Sequence, residues 1–341
     1  MKKIFTLFVA ALCCANMFAI EGALTGKFSV NANGDKIQFS QGNLQYQAST
    51  KTWRFAEHQW NFVGEQSDED KKMGNVYENG VQCDNTQISD NYTGWIDLFG
   101  WGTGDNPTCV STNPSDYTNF VDWGVNAISN GGNVPNAWRT LSADEWDYIL
   151  FKRPRAAELC SFIPAGLVLL PDDWEKPEGI DFKNMTELFS FVSSENWYSG
   201  SLTNNNCSSR YNSLSTSESA WSKMEKAGAV LLPATEERTG TEVDISYYYE
   251  EGHYWSSSDC AILTNLKHAC EDPYGVWINK GEEVSPKYGF AVRLARDVEA
   301  NEAIDQTSQE PTAKCQKLIK DGQLFLELNG KTYNAQGAEV K

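Results

Sequence analysis

Histidine, positive charge and closely paired cysteines are scarce in this sequence. The 341 residues include 3 histidines, and no two cysteines stand in a CxxC arrangement, so a structural zinc site is not expected. Lys and Arg number 28 against 46 Asp and Glu, which gives a formal net charge of -18. Phosphate binding draws on clustered Lys and Arg. This balance therefore argues against nucleic acid, and against an anionic membrane surface, as partners.

Long apolar runs are missing after the N-terminus. The basic start MKK and the apolar run IFTLFVAALCCA form the pattern of a secretory signal peptide, with cleavage predicted after Ala15 or Ala19. A lipoprotein signal at Cys13 or Cys14 is disfavoured, because the residue before a lipidated cysteine is normally small. No later stretch approaches the roughly 20 apolar residues that span a bilayer. We expect residues 1–19 to be a signal peptide and the protein to be secreted to the outer-membrane surface, without a membrane-spanning segment.

Aromatic residues are abundant, with 12 Trp, 14 Tyr and 16 Phe, and they can supply a large core. Strand-like alternation on both sides of Asn33-Gly34 predicts a β-hairpin, in which these two residues supply the positive φ of the turn. A short internal echo pairs GLVLLPDDW (residues 166–174) with GAVLLPATE (residues 228–236). Each copy indicates a short buried strand that ends at a proline. Two copies are too few for a solenoid.

Two helices are predicted from their capping residues. Ser142 with Glu145 forms a capping box, in which each residue satisfies a backbone N–H of the other at the helix start. Ser215 with Glu218 forms a second box, and Gly228 stands where a glycine commonly ends a helix.

Three motifs then carry a family resemblance: WRTLSADEW (residues 138–146), YWSSS (residues 254–258) and GFAVRLAR (residues 289–296). Their order resembles exported bacterial domains related to the Fibrobacter major paralogous domain and the Lcl C-terminal family. Both are similar to the formylglycine-generating, sulfatase-modifying enzymes, which have an irregular relative of the C-type lectin fold. The resemblance implies an α+β, loop-rich domain of this lectin-like kind over residues 20–297.

The enzymatic activity of that family is not predicted to carry over. The formylglycine-generating enzymes use a copper-binding cysteine pair shortly before the closing strand, within a basic stretch. Here Cys260 and Cys270 stand far from that strand, and the basic residues are missing. The pair is also a candidate disulfide. Ser256 and its neighbours lack a histidine placed to activate them, so we expect them to satisfy backbone groups in a tight turn beside Trp255.

Loops are where a binding function is expected, and residues 65–90 and 100–122 are polar enough to be surface loops. Four acidic residues of this chain stand near tryptophans in the sequence: Asp97, Asp105, Asp172 and Asp173. This pattern is typical of glycosidases and of sugar-binding grooves, but also of carboxylates that simply cap turns. The candidate ligand contacts are Trp101, Asp105, Trp255, Asp259 and Trp277.

The sequence thus predicts a secreted or cell-surface, non-catalytic module that binds a glycan or a surface protein. The alternatives are a copper-dependent oxidase of the formylglycine-generating type and a structural component of a surface assembly. No cofactor is predicted, and calcium held by loop oxygens stays an open alternative. Residues 298–316 indicate a linker. Residues 317–341 resemble the C-terminal sorting domains of Bacteroidetes proteins that use type IX secretion, and we expect them to form a small β-hairpin tail with its turn at Asn329-Gly330.

Overall fold

The computed structural model describes a mixed, sheet-rich chain with few and short helices, which agrees with the α+β expectation. The described residues are 21–63, 77–78, 81–153, 158–162, 165–178, 190–192, 197–198, 220–235, 237–244, 251–258, 261–265, 276–278, 284–298, 315–320, 323–328, 331–334 and 339–340. They fall into two compact units, Met1–Val298 and Glu299–Lys341. The predicted signal peptide and the capping box at Ser215 lie outside the described residues.

The strands of the first unit are short, and most pair in small antiparallel sheets. In chain order they are β1 (Phe28–Ser29), β2 (Lys36–Phe39), β3 (Leu44–Gln47), β4 (Thr52–Phe55), β5 (Tyr77–Glu78), β6 (Val81–Gln82), β7 (Trp95–Ile96), β8 (Glu158–Phe162), β9 (Ala165–Leu169), β10 (Ser190–Val192), β11 (Trp197–Tyr198), β12 (Val230–Pro233), β13 (Glu237–Thr239), β14 (Glu242–Asp244), β15 (Glu251–Trp255), β16 (Ala261–Asn265), β17 (Val276–Ile278), β18 (Tyr288–Gly289) and β19 (Ala295–Asp297).

These strands form separate sheets with the orders β1-β2-β19, β4-β3-β7, β5-β6, β11-β10-β8-β9-β12, β14-β13-β18 and β15-β16-β17. The predicted hairpin at Asn33-Gly34 is confirmed, since β1 pairs with β2. Its positive φ comes from Gly34 alone, at 87°, and not from Asn33 as well. The two copies of the internal echo are direct partners: β9 and β12 pair antiparallel, with Val230 opposite Leu169 and Leu232 opposite Leu167.

Two α-helices are described, α1 (Ala143–Asp147) and α2 (Ala220–Lys226), and α1 continues into one π-helical turn over Tyr148–Lys152. Three-residue 3-10 helices stand at Asn85–Gln87, Pro114–Asp116 and Trp123–Val125. The capping box that opens α1 is confirmed in both directions. Gly228 follows α2 with φ 91°, as expected for a glycine after a helix end. No helix in the described part of the chain is long and apolar enough to cross a membrane.

The closing motif lies between two hydrophobic clusters. Phe290, Val292 and Leu294 belong to the cluster that also holds Trp53 and Trp255. The alternate residues Ala291 and Ala295 belong to a second cluster around Phe28, Phe39 and Trp146. Neighbouring side chains of an extended segment point to opposite faces. This one segment therefore contributes to both cores of the unit.

The three motifs meet in space along that segment. The backbone N–H of Arg139 donates to the carbonyl of Ala295 at 2.8 Å, and that of Trp255 donates to the carbonyl of Ala291 at 3.0 Å. The N–H of Ser257 donates to the carbonyl of Leu141 at 2.9 Å. WRTLSADEW and YWSSS are thus both bonded to the closing segment, and also to each other.

The prediction that residues 65–90 form a surface loop is partly wrong. Cys83, Asp84 and Asn85, within residues 65–90, are buried. The amide of Asn85 donates to the carbonyl of Val63 and to Asp97, so this segment packs inward to satisfy polar groups there.

The second unit contains an antiparallel sheet rather than a single hairpin. Its strands are β20 (Cys315–Lys320), β21 (Gln323–Leu328), β22 (Lys331–Asn334) and β23 (Glu339–Val340), paired in sequence order. Leu328 faces Lys331, so β21 and β22 flank the predicted turn at residues 329–330. β20 begins at Cys315, inside the stretch expected to be a linker, because its residues pair with β21 along its whole length.

Candidate functional site

The 100–122 loop is held to the unit by backbone bonds near both of its ends. The N–H of Trp101 donates to the carbonyl of Pro286 at 3.0 Å, and that of Val121 donates to the carbonyl of Gly102 at 3.0 Å. Gly102 has φ 68°, and a Cβ there would stand 2.6 Å from the Cα of Phe120. Only glycine fits this conformation and this close approach. The loop therefore returns on itself at a fixed position.

Within this loop lies an open cavity of about 210 Å³. The lining is mostly polar side chains with two aromatic ones: Trp101, Gly102, Thr103, Asp105, Asn106, Cys109, Asp116, Tyr117, Thr118, Asn119 and Val121. None of these described lining residues is Lys, Arg or His.

Trp101 is fixed on one side of the cavity. Its indole N–H donates to the carbonyl of Ser256 at 3.2 Å, and its ring lies 5.1 Å from that of Phe120 between centroids. The side chain is half-buried. A ligand therefore meets an aromatic surface that is already oriented, with little side-chain entropy left to lose.

A buried arginine secures the loop from behind. Arg238 is 0% exposed and donates to the carbonyls of Leu98 at 3.1 Å and of Cys109 at 3.4 Å, and also to that of Gly240. Burial lowers the pKa of its guanidinium to about 10. A Cβ on Gly289 would stand 2.7 Å from its Nε atom, so glycine is needed beside it. Because these carbonyls come from separate segments, Arg238 links the loop to the strands around it.

The two cavity aspartates differ in their surroundings. Asp116 ends a 3-10 helix and accepts a hydrogen bond from the hydroxyl of Ser111. Asp105 is exposed, and no described residue forms a hydrogen bond or ion pair with its carboxylate. Tyr117 is buried and donates to the carbonyl of Ser111 at 2.9 Å, and burial raises the pKa of its phenol. Asp105 is thus the cavity carboxylate that is left open to a ligand.

The structure brings together two of the predicted ligand contacts, Trp101 and Asp105, since both line the cavity. Trp255 is 1% exposed and packs on Phe290, with 4.5 Å between the ring centroids, so it is a core residue. Trp277 lies in β17, and its side chain is outside the described part. Asp259, and the cysteine pair Cys260 and Cys270, also lie outside the described residues.

The carboxylates that suggested an acid–base pair are not assembled. Asp97 is 0% exposed and bonded to Val63 and Asn85, and Asp172 forms an ion pair with the buried Arg153 at 3.1 Å. Neither residue lines the cavity that holds Asp105. In the described part of the chain, no three His, Cys, Asp or Glu residues gather as a metal site would require.

The serines of YWSSS satisfy backbone groups, as expected. The hydroxyl of Ser256 donates to the carbonyl of Ser258 at 2.9 Å and accepts from the N–H of Ser258 at 3.2 Å. The hydroxyl of Ser258 accepts from the N–H of Ala143, at the start of α1, at 3.4 Å. These serines therefore join the turn to the capped helix.

Several cavity residues carry no motif, and sequence reasoning did not single them out: Asn106, Cys109, Asp116, Tyr117 and Asn119. The available signal was the polar composition of residues 100–122 as a whole. Comparison with protein-family models, with curated proteins and with solved structures finds no match for this chain. The family resemblance therefore rests on the three motifs alone.

Proposed function

We propose that this chain is a non-catalytic binding module that takes a carbohydrate in the cavity of the 100–122 loop. The observation that carries the proposal is one open cavity that combines a fixed indole, Trp101, with carboxylate and amide side chains such as Asp105, Asn106 and Asn119. Aromatic rings pack against the C–H faces of sugars, while carboxylates accept from sugar hydroxyls and amides both accept and donate. The cavity is small beside the roughly 300–1,000 Å³ of a drug-sized site, so it suits one sugar unit of a longer chain.

Removing the indole is the direct test of this site. We expect Trp101→Ala to weaken binding of any glycan that the wild type selects from an array by at least about tenfold, equivalent to about 1.4 kcal/mol. Trp101→Phe should retain part of the affinity, because a ring remains while the hydrogen bond to Ser256 is lost. Isothermal titration calorimetry on the selected oligosaccharide measures both changes.

Trp174→Ala is the matched control, since Trp174 is also half-buried but does not line the cavity. It should bind like the wild type. The proposal fails if a folded wild-type sample binds no glycan, or if the Trp101 and Trp174 variants lose affinity equally. Capture of a surface protein that Trp101→Ala abolishes, with no glycan bound, would assign the cavity to a protein ligand instead.

The proposal extends to the fold and to the place where the module acts. The motif resemblance supports a lectin-like, formylglycine-generating-enzyme-like architecture for the first unit. The basic and apolar residues at positions 1–19 support export, and the resemblance of residues 317–341 to a type IX sorting domain supports delivery to the outer-membrane surface. The glycan is then met outside the cell.

Export is tested by expressing the full chain in a bacterium that has a type IX system. We expect the chain recovered from the cell surface to begin at Asn16 or Ile20, after removal of the signal peptide, as N-terminal sequencing would show. A variant without residues 317–341 should be processed in the same way but stay inside the outer membrane. An unprocessed chain in the cytoplasm, or a tail-less chain that still reaches the surface, would contradict this part of the proposal.

A further inference from the structure

The charged side chains that line the cavity are all acidic among the described residues. Asp105 and Asp116 line it, while the described lining contains no cation. Arg238 reaches the loop, but it is 0% exposed and its donors are bonded to backbone carbonyls. The formal net charge of the whole chain is -18. An anionic sugar entering this cavity would meet like charge without a compensating group.

The carboxylate of Asp105 is the group best placed to act on a ligand. Asp116 already accepts from Ser111, and its backbone is fixed in a 3-10 helix. Asp105 is exposed and has no hydrogen-bond or ion-pair partner among the described residues. A carboxylate of this kind forms stronger hydrogen bonds with an ammonium group than with a hydroxyl or an amide, because the donor is charged.

We infer that the cavity selects sugars that carry a free amino group, and that Asp105 sets this preference. The inference rests on the proposed carbohydrate-binding function and narrows it to a ligand class. The fixed indole of Trp101 packs against the sugar ring, and the ammonium of an amino sugar pairs with Asp105. The N-acetylated sugar has the same ring but no charge, and a uronic acid has the opposite charge.

Calorimetric titration of the full chain with three oligosaccharides of equal length tests the inference. They are β-1,4-linked glucosamine, β-1,4-linked N-acetylglucosamine and oligogalacturonate. We expect the wild type to bind the glucosamine oligomer about fivefold more tightly than its N-acetylated form, equivalent to about 1 kcal/mol. Oligogalacturonate should bind the most weakly. The preference should largely disappear at about 1 M salt, where the Debye length is only about 3 Å.

Asp105→Asn should remove the preference while keeping a polar side chain of the same size. Asp173→Asn is its control, because Asp173 is also exposed and does not line the cavity, so the net charge changes equally. The control should keep the fivefold difference. Equal loss in both variants would show a general charge effect and would overturn the assignment to Asp105.

The outcomes distinguish failure of the amino-sugar preference from failure of the proposed carbohydrate-binding function. If no oligosaccharide of any charge binds, the proposed function fails. If sugars bind in a manner that Trp101→Ala abolishes, but the amino sugar gains nothing or the uronate binds best, the function stands and the amino-sugar assignment is overturned.

Discussion

Trp255→Ala is expected to destabilise the first unit by about 3 to 5 kcal/mol, the usual cost of truncating a buried tryptophan. The indole is 1% exposed, lies 4.5 Å from the ring of Phe290 and donates to the carbonyl of Phe99 at 2.6 Å. Truncation opens a void in the hydrophobic cluster to which the GFAVRLAR motif also contributes. It also leaves the Phe99 carbonyl without this donor. Urea denaturation followed by far-ultraviolet circular dichroism measures the change without relying on tryptophan fluorescence.

Two further variants distinguish the stability contributed by core packing from that contributed by the residues of the 100–122 loop cavity. Trp255→Phe keeps most of the ring and loses the hydrogen bond, so it should cost less than Trp255→Ala. Trp101→Ala should cost about 1 to 2 kcal/mol, since Trp101 is half-buried and contributes one hydrogen bond to stability. A Trp255→Ala protein within about 1 kcal/mol of the wild type would show that the YWSSS turn does not hold the motifs together.

The features predicted correctly are those encoded by residues a few positions apart. Asn33-Gly34 specifies its turn through the φ that glycine tolerates, and the box of Ser142 with Glu145 specifies a helix start through two local hydrogen bonds. Ser256 and Ser258, after Trp255, likewise bond to each other within their own turn. Such interactions do not depend on which strands later become neighbours.

The pairing of distant segments was outside the reach of the sequence. Similarity between residues 166–174 and 228–236 indicated two strands, but only the structure shows that β9 and β12 are partners. Arg293 shows the same limit. It is 1% exposed and donates to Asn43 at 3.2 Å and to Gln59 at 3.1 Å, residues more than two hundred positions away in the chain. Buried polar partners are chosen by tertiary position, which a local pattern does not contain.

The candidate site was predicted only in part for a related reason. Trp101 and Asp105 stand close together in a polar loop, so composition indicated them. Tyr117 and Asn119 reach the same cavity because the end of the loop returns to its start, where the N–H of Val121 donates to the carbonyl of Gly102. Trp255 is a predicted ligand contact beside a turn of serines, but its ring is 1% exposed and lies in the core.

Asp97 should make the stability of the first unit depend on pH near neutrality. Its carboxyl is 0% exposed, and burial raises its pKa from 3.8 to about 7, although Val63 and Asn85 both donate to it. Between these two values the native state holds a proton that the unfolded state has released. Stability therefore falls as pH rises through this window, and the loss is complete above about pH 7. The full difference corresponds to about 4 kcal/mol.

Replacing the carboxyl should remove this dependence. Between about pH 5 and about pH 8, the wild type should lose about 2 to 3 kcal/mol more than Asp97→Asn, measured from urea midpoints at each pH. The comparison uses the change with pH rather than absolute stability, because the new amide places a donor against the donor of Asn85. Asp173→Asn, at an exposed position, should follow the wild type. Equal changes with pH in wild type and Asp97→Asn would show that the Asp97 carboxylate is ionised throughout this range, and that its two hydrogen bonds outweigh the cost of burial.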